Sequence, residues 1–206
     1  MRRGAGFTRW AALVAIVLGM LAAGCSRQAP AVKFRSTDLT GVEWGKDFRL
    51  TDQNGKPRDL ADFKGKVVLL FFGYTHCPDV CPTTLAKLAS ARKSLGAQAD
   101  RVQVLFVTVD PARDTPQRLA EYLGGFDPTF LGLWGDETAI ARTAKAFKIY
   151  YKAPHGEHDN RSLEAVEHSS GVFAFDPEGK LRLYIESGRS ASDIAHDVKL
   201  LLSGGQ

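Results

Sequence analysis

The sequence predicts an α/β sandwich, in which helices pack on a sheet with a central parallel pair of strands and an N-terminal hairpin extends the domain. Residues 67–72 form a continuous apolar run, rich in branched and aromatic residues, as a strand buried on both faces does, and residues 102–109 are predicted to form a second buried strand. Residues 82–95, between these two segments, carry apolar side chains at helical spacing. A helix that joins two buried strands predicts a parallel pair with a right-handed crossover.

The hairpin is predicted before the first buried strand. Residues 48–52 and 56–60 flank an Asn-Gly pair at positions 54 and 55, a dipeptide that favours a tight turn between antiparallel strands. The helix at 82–95 has its apolar positions at Leu85, Leu88 and Ala89 and ends near a glycine at position 96.

The later elements follow from similar signals. Thr115 and Pro116 begin a helix that ends at two glycines after residue 123, and a third helix is predicted over residues 137–147. An Asp-Pro-Glu-Gly turn at residues 176–179 joins two predicted strands, 171–175 and 181–185. An amphipathic helix over residues 190–202 is the last predicted element. This order is the plan of a thioredoxin-like domain, with residues 152–167 as an inserted loop.

Composition limits the class of protein. The 206 residues suffice for one full-sized domain with an appendage, and 44% apolar and 24% charged residues are typical of a globular chain. The formal charge of +4 depends on three arginines in the first ten residues, and without them the 24 bases and 23 acids nearly balance. No basic run with interleaved aromatic residues is present, so we expect no nucleic-acid partner.

The amino terminus is predicted to be an export signal. Arg2, Arg3 and Arg9 precede fifteen uncharged residues, 10–24, which is short of the ~20 that a membrane span needs. Leu-Ala-Ala-Gly-Cys at residues 21–25 resembles the lipobox of bacterial lipoproteins, in which the cysteine, here Cys25, is lipidated and becomes the first residue after cleavage. The alternative is an uncleaved signal anchor with an incidental cysteine.

These signals divide the chain into three parts. We expect a lipoprotein signal peptide at residues 1–24, a lipid-attached tether at 25–45, and a thioredoxin-like domain at 46–203. The expected location is the bacterial cell envelope, with the protein anchored to a membrane by lipid and facing the periplasm.

The chemistry is expected at Cys77 and Cys81. They follow the first buried strand and begin a helix, the position at which open α/β sheets place their sites. Because a helix dipole favours thiolate over thiol at the helix N-terminus, we expect ionised and partly exposed sulfurs. Residues four apart on one helix face have Cβ atoms about 5–6 Å apart, whereas a relaxed disulfide needs about 3.5–4.5 Å. A soft ion, Cu(I) or Zn(II), bridges the wider gap. The alternative is a plain stabilising disulfide.

A third ligand is sought among five histidines: His76, His155, His158, His168 and His196. Of these, His168 comes shortly before the predicted strand 171–175, and in a thioredoxin-like fold the loop before that strand faces the dithiol. The residue next to Cys77 points to the opposite side, and the remaining three are expected at the surface. His168 alone is also compatible with an ordinary capping or surface histidine.

Three blocks carry a resemblance to a known family. They are Gly-Tyr-Thr-His-Cys-Pro-Asp-Val-Cys-Pro at residues 73–82, Val-Thr-Val-Asp-Pro-Ala-Arg-Asp-Thr-Pro at 107–116 and Glu-His-Ser at 167–169. Their order and distances resemble the Sco/SenC family over residues 47–202. Members are membrane-anchored, thioredoxin-like copper proteins that assist assembly of the binuclear copper centre of cytochrome c oxidase.

The resemblance implies a copper site formed by Cys77, Cys81 and His168, with Cu(I) or Cu(II) as the ion and Asp79 as a residue that modulates it. It also implies a metallochaperone with cytochrome c oxidase subunit II as its partner, and a periplasmic copper chaperone or thiol reductant as a further one. No cis-proline precedes strand 171–175, although thioredoxin-type oxidoreductases place one there, and this difference favours metal binding.

Two other functions remain open. A thiol–disulfide reductase would use the redox disulfide of Cys77 and Cys81 to keep the copper-ligand cysteines of the oxidase reduced, and one dithiol can serve both roles. A thiol peroxidase is disfavoured because the Pro-x-x-x-Thr-x-x-Cys pattern is absent at Cys77. For the metallochaperone we expect no catalytic residue, and thiol–disulfide oxidoreductase activity is the one enzymatic activity that the dithiol leaves open.

Overall fold

The computed structural model describes residues 33–151 and 170–204. Within these ranges the strands are β1 (Thr37–Asp38), β2 (Leu50–Asp52), β3 (Pro57–Arg58), β4 (Val67–Gly73), β5 (Val102–Thr108), β6 (Leu131–Trp134), β7 (Val172–Phe175) and β8 (Leu181–Ile185). The helices are α1 (Val80–Ser94), α2 (Pro116–Gly124), α3 (Glu137–Ala146) and α4 (Ala191–Leu202). Two short 3₁₀ helices, Leu60–Phe63 and Gly96–Arg101, precede β4 and β5.

The strands form one mixed sheet in the order β1-β8-β7-β4-β5-β6-β2-β3. β4, β5 and β6 are parallel, whereas β7 runs antiparallel to β4 and β8 antiparallel to β7. All seven residues of β4 and all seven of β5 are buried, as the apolar runs predict for strands covered on both faces. The predicted parallel pair and the thioredoxin-like sandwich are confirmed.

The helices cover both faces of this sheet. On one face Phe71 of β4 and Phe106 of β5 are register partners whose rings lie 5.9 Å apart, and α1, α2 and α4 pack over this side. Neighbouring strand residues point to opposite faces, so Phe72 reaches the other side, where its ring is 5.5 Å from that of Phe147 at the end of α3. The dithiol segment, between β4 and α1, therefore lies on the face that α2 and α4 share.

The predicted hairpin forms, and it belongs to the main sheet. β2 and β3 pair antiparallel across a turn in which Gly55 has a φ of +81°, the left-handed region that glycine adopts freely. β2 also pairs with β6, a strand that the sequence pattern does not predict. β6 is short and contains Gly132, at which a Cβ atom would lie 2.9 Å from side-chain atoms of Leu119 and Leu123 in α2. Close helix packing thus requires glycine there, and the glycine weakens the strand pattern.

The domain begins earlier than the sequence predicts. From residue 33 the chain that we expect to be a tether is instead part of the fold, since β1 pairs with β8 at the sheet edge. The ring of Trp44 meets Phe173 edge-on, with centroids 5.9 Å apart. The composition of residues 33–45 predicts a flexible segment. It does not reveal their place in the fold, because they contact elements more than a hundred residues away in the chain.

Asp197 attaches this N-terminal segment to α4. Its side chain is completely buried and accepts hydrogen bonds from the backbone N–H groups of Arg35 and Ser36, both at 2.9 Å. The ring Nδ1 of His196 lies 3.0 Å from the same carboxylate. The Asp197 carboxylate therefore stabilises the N-terminal segment, because a hydrogen bond to a charged acceptor is stronger than a hydrogen bond between neutral groups.

We expect Asp197→Asn to destabilise the fold by about 2 kcal/mol, because the amide nitrogen of asparagine would face a backbone N–H donor. Urea unfolding monitored by tryptophan fluorescence measures this change. Glu43→Gln, which alters an exposed ion pair with Lys46, is the control and should leave the free energy of unfolding unchanged. Equal stabilities of the two variants would contradict the role given to Asp197.

Candidate dithiol and metal site

The candidate site lies in the loop between β4 and α1. Tyr74 is buried at the start of this loop, and the backbone N–H of Cys77 donates to the Tyr74 carbonyl over 3.2 Å, which closes a turn. α1 begins at Val80, so Cys81 is its second residue and Cys77 precedes it. The loop leaves the carboxyl end of a parallel strand, the position where open α/β sheets bind ligands.

The structure brings the two cysteines together. The backbone N–H of Cys81 points to the Cys77 sulfur, with 3.4 Å between nitrogen and Sγ, and both residues are present as thiols. Cys77 lies in the turn before α1, so the pair does not share a helix face in the way that the four-residue spacing suggests. The turn brings the sulfur of Cys77 back over the first turn of the helix instead.

Burial differs from the expectation for this pair. The prediction of partly exposed sulfurs is wrong, because Cys77 retains 9% of its surface and Cys81 none. Burial raises the pKa of the Cys81 thiol strongly, and the neighbouring Cys77 and the Asp114 carboxylate raise it further, while a backbone hydrogen bond with Tyr74 lowers it. For Cys81 the loss of water therefore outweighs the helix dipole, and in the absence of a ligand this residue is a neutral thiol.

Gly73 makes room for the buried sulfur. A Cβ atom at this position would lie 2.9 Å from the Cys81 Sγ and 2.7 Å from the Phe106 ring. Gly73, the last residue of β4, therefore packs directly against both the Cys81 sulfur and the Phe106 ring. A side chain at position 73 would displace one of these groups.

A buried carboxylate, Asp114, holds the loop in place. Its side chain has no exposed surface and accepts hydrogen bonds from the Thr75 N–H at 3.0 Å, the Thr75 hydroxyl at 2.6 Å and the Thr108 hydroxyl at 2.7 Å. Thr75 is in the loop before Cys77, and Thr108 is the last residue of β5. Asp114 therefore ties the dithiol loop to the end of the neighbouring strand.

A second set of contacts supports Asp114. Its N–H donates to the Asp110 carbonyl at 2.9 Å, the N–H of Asp110 donates to the Thr108 hydroxyl at 3.0 Å, and Arg113 pairs with the Asp110 carboxylate. The Arg118 Nε, on α2, donates to the Thr75 hydroxyl at 3.1 Å. Residues 110–118 thus support the dithiol loop, a role beyond the predicted turn and helix start.

The histidines are placed as follows. His76 is exposed, with its Nδ1 3.8 Å from the Asp114 carboxylate, and His196 is half-buried against Asp197. His155, His158 and His168 lie outside the described residues, as does Cys25.

The described residues supply two of the three proposed ligands. Within residues 33–151 and 170–204, no group of three or more His, Cys, Asp or Glu side chains is arranged to hold a metal ion. Two adjacent thiols are nonetheless a fitting donor pair for a soft ion, which needs a further ligand from elsewhere in the chain. In the same ranges, none of the helices is both long and apolar enough to span a membrane.

Comparison with known proteins gives a consistent assignment. A family model described as SCO1/SenC matches residues 37–203. The chain is 41% identical over 155 residues to the mitochondrial SCO2 homolog of Bos taurus, an alignment covering 74% of this chain and 58% of the bovine protein. The chain thus spans less than two thirds of the length of that relative.

Solved structures show the same fold. The copper-bound ScoI of Bradyrhizobium japonicum is 38% identical with a TM-score of 0.66, and the match covers 74% of this chain and 96% of that one. A SCO1/SenC family lipoprotein from Bacillus anthracis is 27% identical with a TM-score of 0.66, covering 82% and 99%. BsSco, described as a Sco family cytochrome c oxidase assembly protein with a disulfide switch, is 26% identical with a TM-score of 0.63, covering 84% and 98%.

We expect Asp114→Asn to lower the free energy of unfolding by about 2–3 kcal/mol, because the amide nitrogen would face a hydroxyl or N–H donor in a buried site. Chemical denaturation of the reduced, metal-free protein measures the loss. The matched control is Asp100→Asn, whose carboxylate is exposed and pairs only loosely with Arg92 at 3.5 Å, with an expected change within about 0.5 kcal/mol. If both variants lost the same stability, Asp114 would not be the support of the loop.

Proposed function

Because this chain belongs to the SCO1/SenC family, we propose that it is a metallochaperone that binds copper and delivers it to the binuclear copper centre of cytochrome c oxidase. The observation that carries the proposal is the contact between the Cys81 N–H and the Cys77 sulfur, which brings two thiols within reach of one ion. The copper bound by the ScoI of Bradyrhizobium japonicum supports this proposal.

The proposed ligands are Cys77, Cys81 and His168. Two thiolates favour Cu(I), and an added imidazole also suits Cu(II), so the set can hold the ion in both oxidation states. Thiols bind as thiolates, so uptake releases protons from the pair, and the positive charge of the ion compensates the negative charge of the two buried sulfurs. Asp79, which precedes the first residue of α1, lies between the cysteines in sequence and is proposed to modulate the site through its charge.

The sheet topology supports His168 as the third ligand. β7 is antiparallel to β4, and its first residue, Val172, is the register partner of Phe71, near the end of β4. Residues 170 and 171, which lead into β7, therefore lie at the end of the sheet where the dithiol loop leaves β4. Position 168 precedes Val172 by four residues, which limits the Cα–Cα distance to about 14 Å at full extension.

A thiol–disulfide reductase is the second candidate function. The N–H of Cys81 aimed at the Cys77 sulfur is a donor of the kind that stabilises charge on an attacking sulfur. In that reaction the Cys77 thiolate attacks a partner disulfide and Cys81 then displaces the mixed disulfide. The partner gains two electrons and two protons, and Cys77 and Cys81 become a disulfide. The disulfide switch of BsSco supports redox activity of this kind.

We further propose that the protein is anchored in the bacterial cell envelope by lipid on Cys25 and faces the periplasm. The Bacillus anthracis lipoprotein of the same family supports this anchoring. The proposed partners are subunit II of cytochrome c oxidase and a periplasmic copper chaperone or thiol reductant that loads or reduces the dithiol.

We expect the reduced chain to bind one copper ion and to melt many degrees higher when loaded. A ligand that binds only the native arrangement adds about 4 kcal/mol of stability at a thousandfold excess over Kd. His168→Ala should weaken Cu(II) binding more than Cu(I) binding, because Cu(II) prefers nitrogen as well as sulfur ligands. Titration with each ion, combined with thermal melting, measures these effects, and His196→Ala is the matched control.

The same His168→Ala variant separates the two functions. A reductase needs only the two thiols, so its rate with an oxidised peptide from the oxidase should change little. Loss of both copper and oxidase assembly, with reduction retained, identifies copper delivery as the function. Loss of copper with assembly intact identifies the reductase, and full Cu(II) affinity in this variant would refute the three-ligand site.

We expect Cys25 to carry the lipid and to take no part in copper binding. Mass spectrometry of the membrane-extracted protein should find a mature chain that begins with a modified Cys25. In a Cys25→Ser variant the protein should lose the lipid while binding the same amount of copper. An unmodified Cys25 on a chain with an intact signal would refute the lipoprotein assignment.

A further inference from the structure

An arginine beside the dithiol loop has no acidic partner. Within the described residues six arginines form ion pairs with carboxylates: Arg35, Arg58, Arg92, Arg113, Arg182 and Arg189. Arg118, on α2, is exposed and forms no ion pair with a residue in the described part of the chain. Its side chain is nevertheless held in place, because its Nε donates to the Thr75 hydroxyl over 3.1 Å. Arg118 therefore presents an uncompensated positive charge from a fixed position.

The contact with Thr75 places this charge next to the dithiol. The Thr75 hydroxyl donates to the buried Asp114 carboxylate at 2.6 Å, and the Thr75 N–H donates to the same carboxylate at 3.0 Å. Thr75 is thus fixed on both its side chain and its backbone, and it precedes Cys77 by only two residues. Since two residues span at most about 7 Å, the Arg118 guanidinium is anchored close to Cys77.

The stability of α2 does not account for an arginine at this position. The Thr115 side chain caps α2 by accepting the N–H of Arg118, so Arg118 lies in the first turn of the helix. This end of a helix carries partial positive charge and favours acidic side chains, yet the first turn of α2 contains none. The helix end and the guanidinium therefore add their positive charges at one place.

We infer that Arg118 is a recognition residue, which binds a carboxylate on the protein that exchanges copper or electrons with the dithiol. With Nε held by Thr75, both terminal nitrogens remain available, and a guanidinium binds a carboxylate through two parallel N–H groups. The nearby acids do not compete, because Asp110 pairs with Arg113 and Asp114 is fully buried. The partner is therefore expected to present an acidic segment. The inference rests on the proposed function in one respect, namely that the partner reaches this chain at the dithiol.

The first test compares the alkylation of Cys77 by iodoacetate and by iodoacetamide in the full, reduced, metal-free chain. With both reagents a carbon–sulfur bond forms, iodide leaves and the thiol proton passes to water, so the reagents differ in charge alone. Peptide mass spectrometry measures each rate. The ratio of the iodoacetate rate to the iodoacetamide rate cancels any change in the reactivity of the thiol itself. In Arg118→Gln we expect this ratio to fall about threefold at low salt, as the loss of one charge a few ångströms away predicts.

Two further variants separate charge from structure. Arg118→Lys keeps the charge and should keep most of the wild-type ratio, whereas an equal fall in this variant would mean that only the bond to Thr75 matters and would overturn the inference. Arg142→Gln is the matched control, since Arg142 is an exposed arginine on α3, and it should leave the ratio unchanged. An unchanged ratio in Arg118→Gln, or an equal fall in Arg142→Gln, would also overturn the inference.

The second test uses two disulfide-linked peptides that carry either Glu or Gln beside the cysteine. The reduced dithiol supplies two electrons and two protons to each peptide disulfide and becomes a disulfide itself. The wild-type chain should reduce the Glu peptide about threefold faster, and Arg118→Gln should reduce both peptides alike; equal rates in the wild-type chain would overturn the inference. A chain that reduces neither peptide overturns the reductase proposal, and one that binds no copper overturns the copper proposal. In both cases the alkylation ratio still decides the role of Arg118.

Discussion

A carboxylate without contact to water must have its charge stabilised by hydrogen bonds, and Asp114 satisfies this requirement through the loop and strand on either side of it. The Thr75 backbone and hydroxyl and the Thr108 hydroxyl all donate to it. Because these donors come from the dithiol loop and from the end of β5, satisfying one buried charge determines how the loop leaves the sheet. The position of Cys77, two residues after Thr75, follows from this interaction.

The same burial gives the site its electrostatic character. The Asp114 carboxylate and the loss of water both raise the pKa of the Cys81 thiol, so the surroundings disfavour a bare thiolate. A bound cation reverses this balance, since it supplies the positive charge that an ionised Cys81 lacks. A site that resists ionisation without a ligand is therefore suited to holding a soft cation.

Agreement between sequence and structure depends on how local the responsible interactions are. The buried strands β4 and β5 are predicted correctly because nearly all of their side chains are apolar, whichever face they occupy. The helices α2 and α4 begin where the sequence predicts because Thr115 and Ser190 accept from backbone N–H groups within three residues. β6 is missed because it contains Gly132, which lets α2 pack closely against the strand. Hydrophobic periodicity and strand propensity do not reveal a packing contact of this kind.

By itself the sequence determined the alternation of strands and helices, the dithiol at the end of β4 and the family to which its three blocks belong, because each depends on residues adjacent in the chain. Only the tertiary structure decided that residues 33–45 belong to the folded domain, that Cys81 is fully buried, and that Asp114 supports the dithiol loop. These features depend on contacts between segments tens to more than a hundred residues apart. Burial and charge at a given side chain are properties of those contacts, so they appear only when the chain is folded.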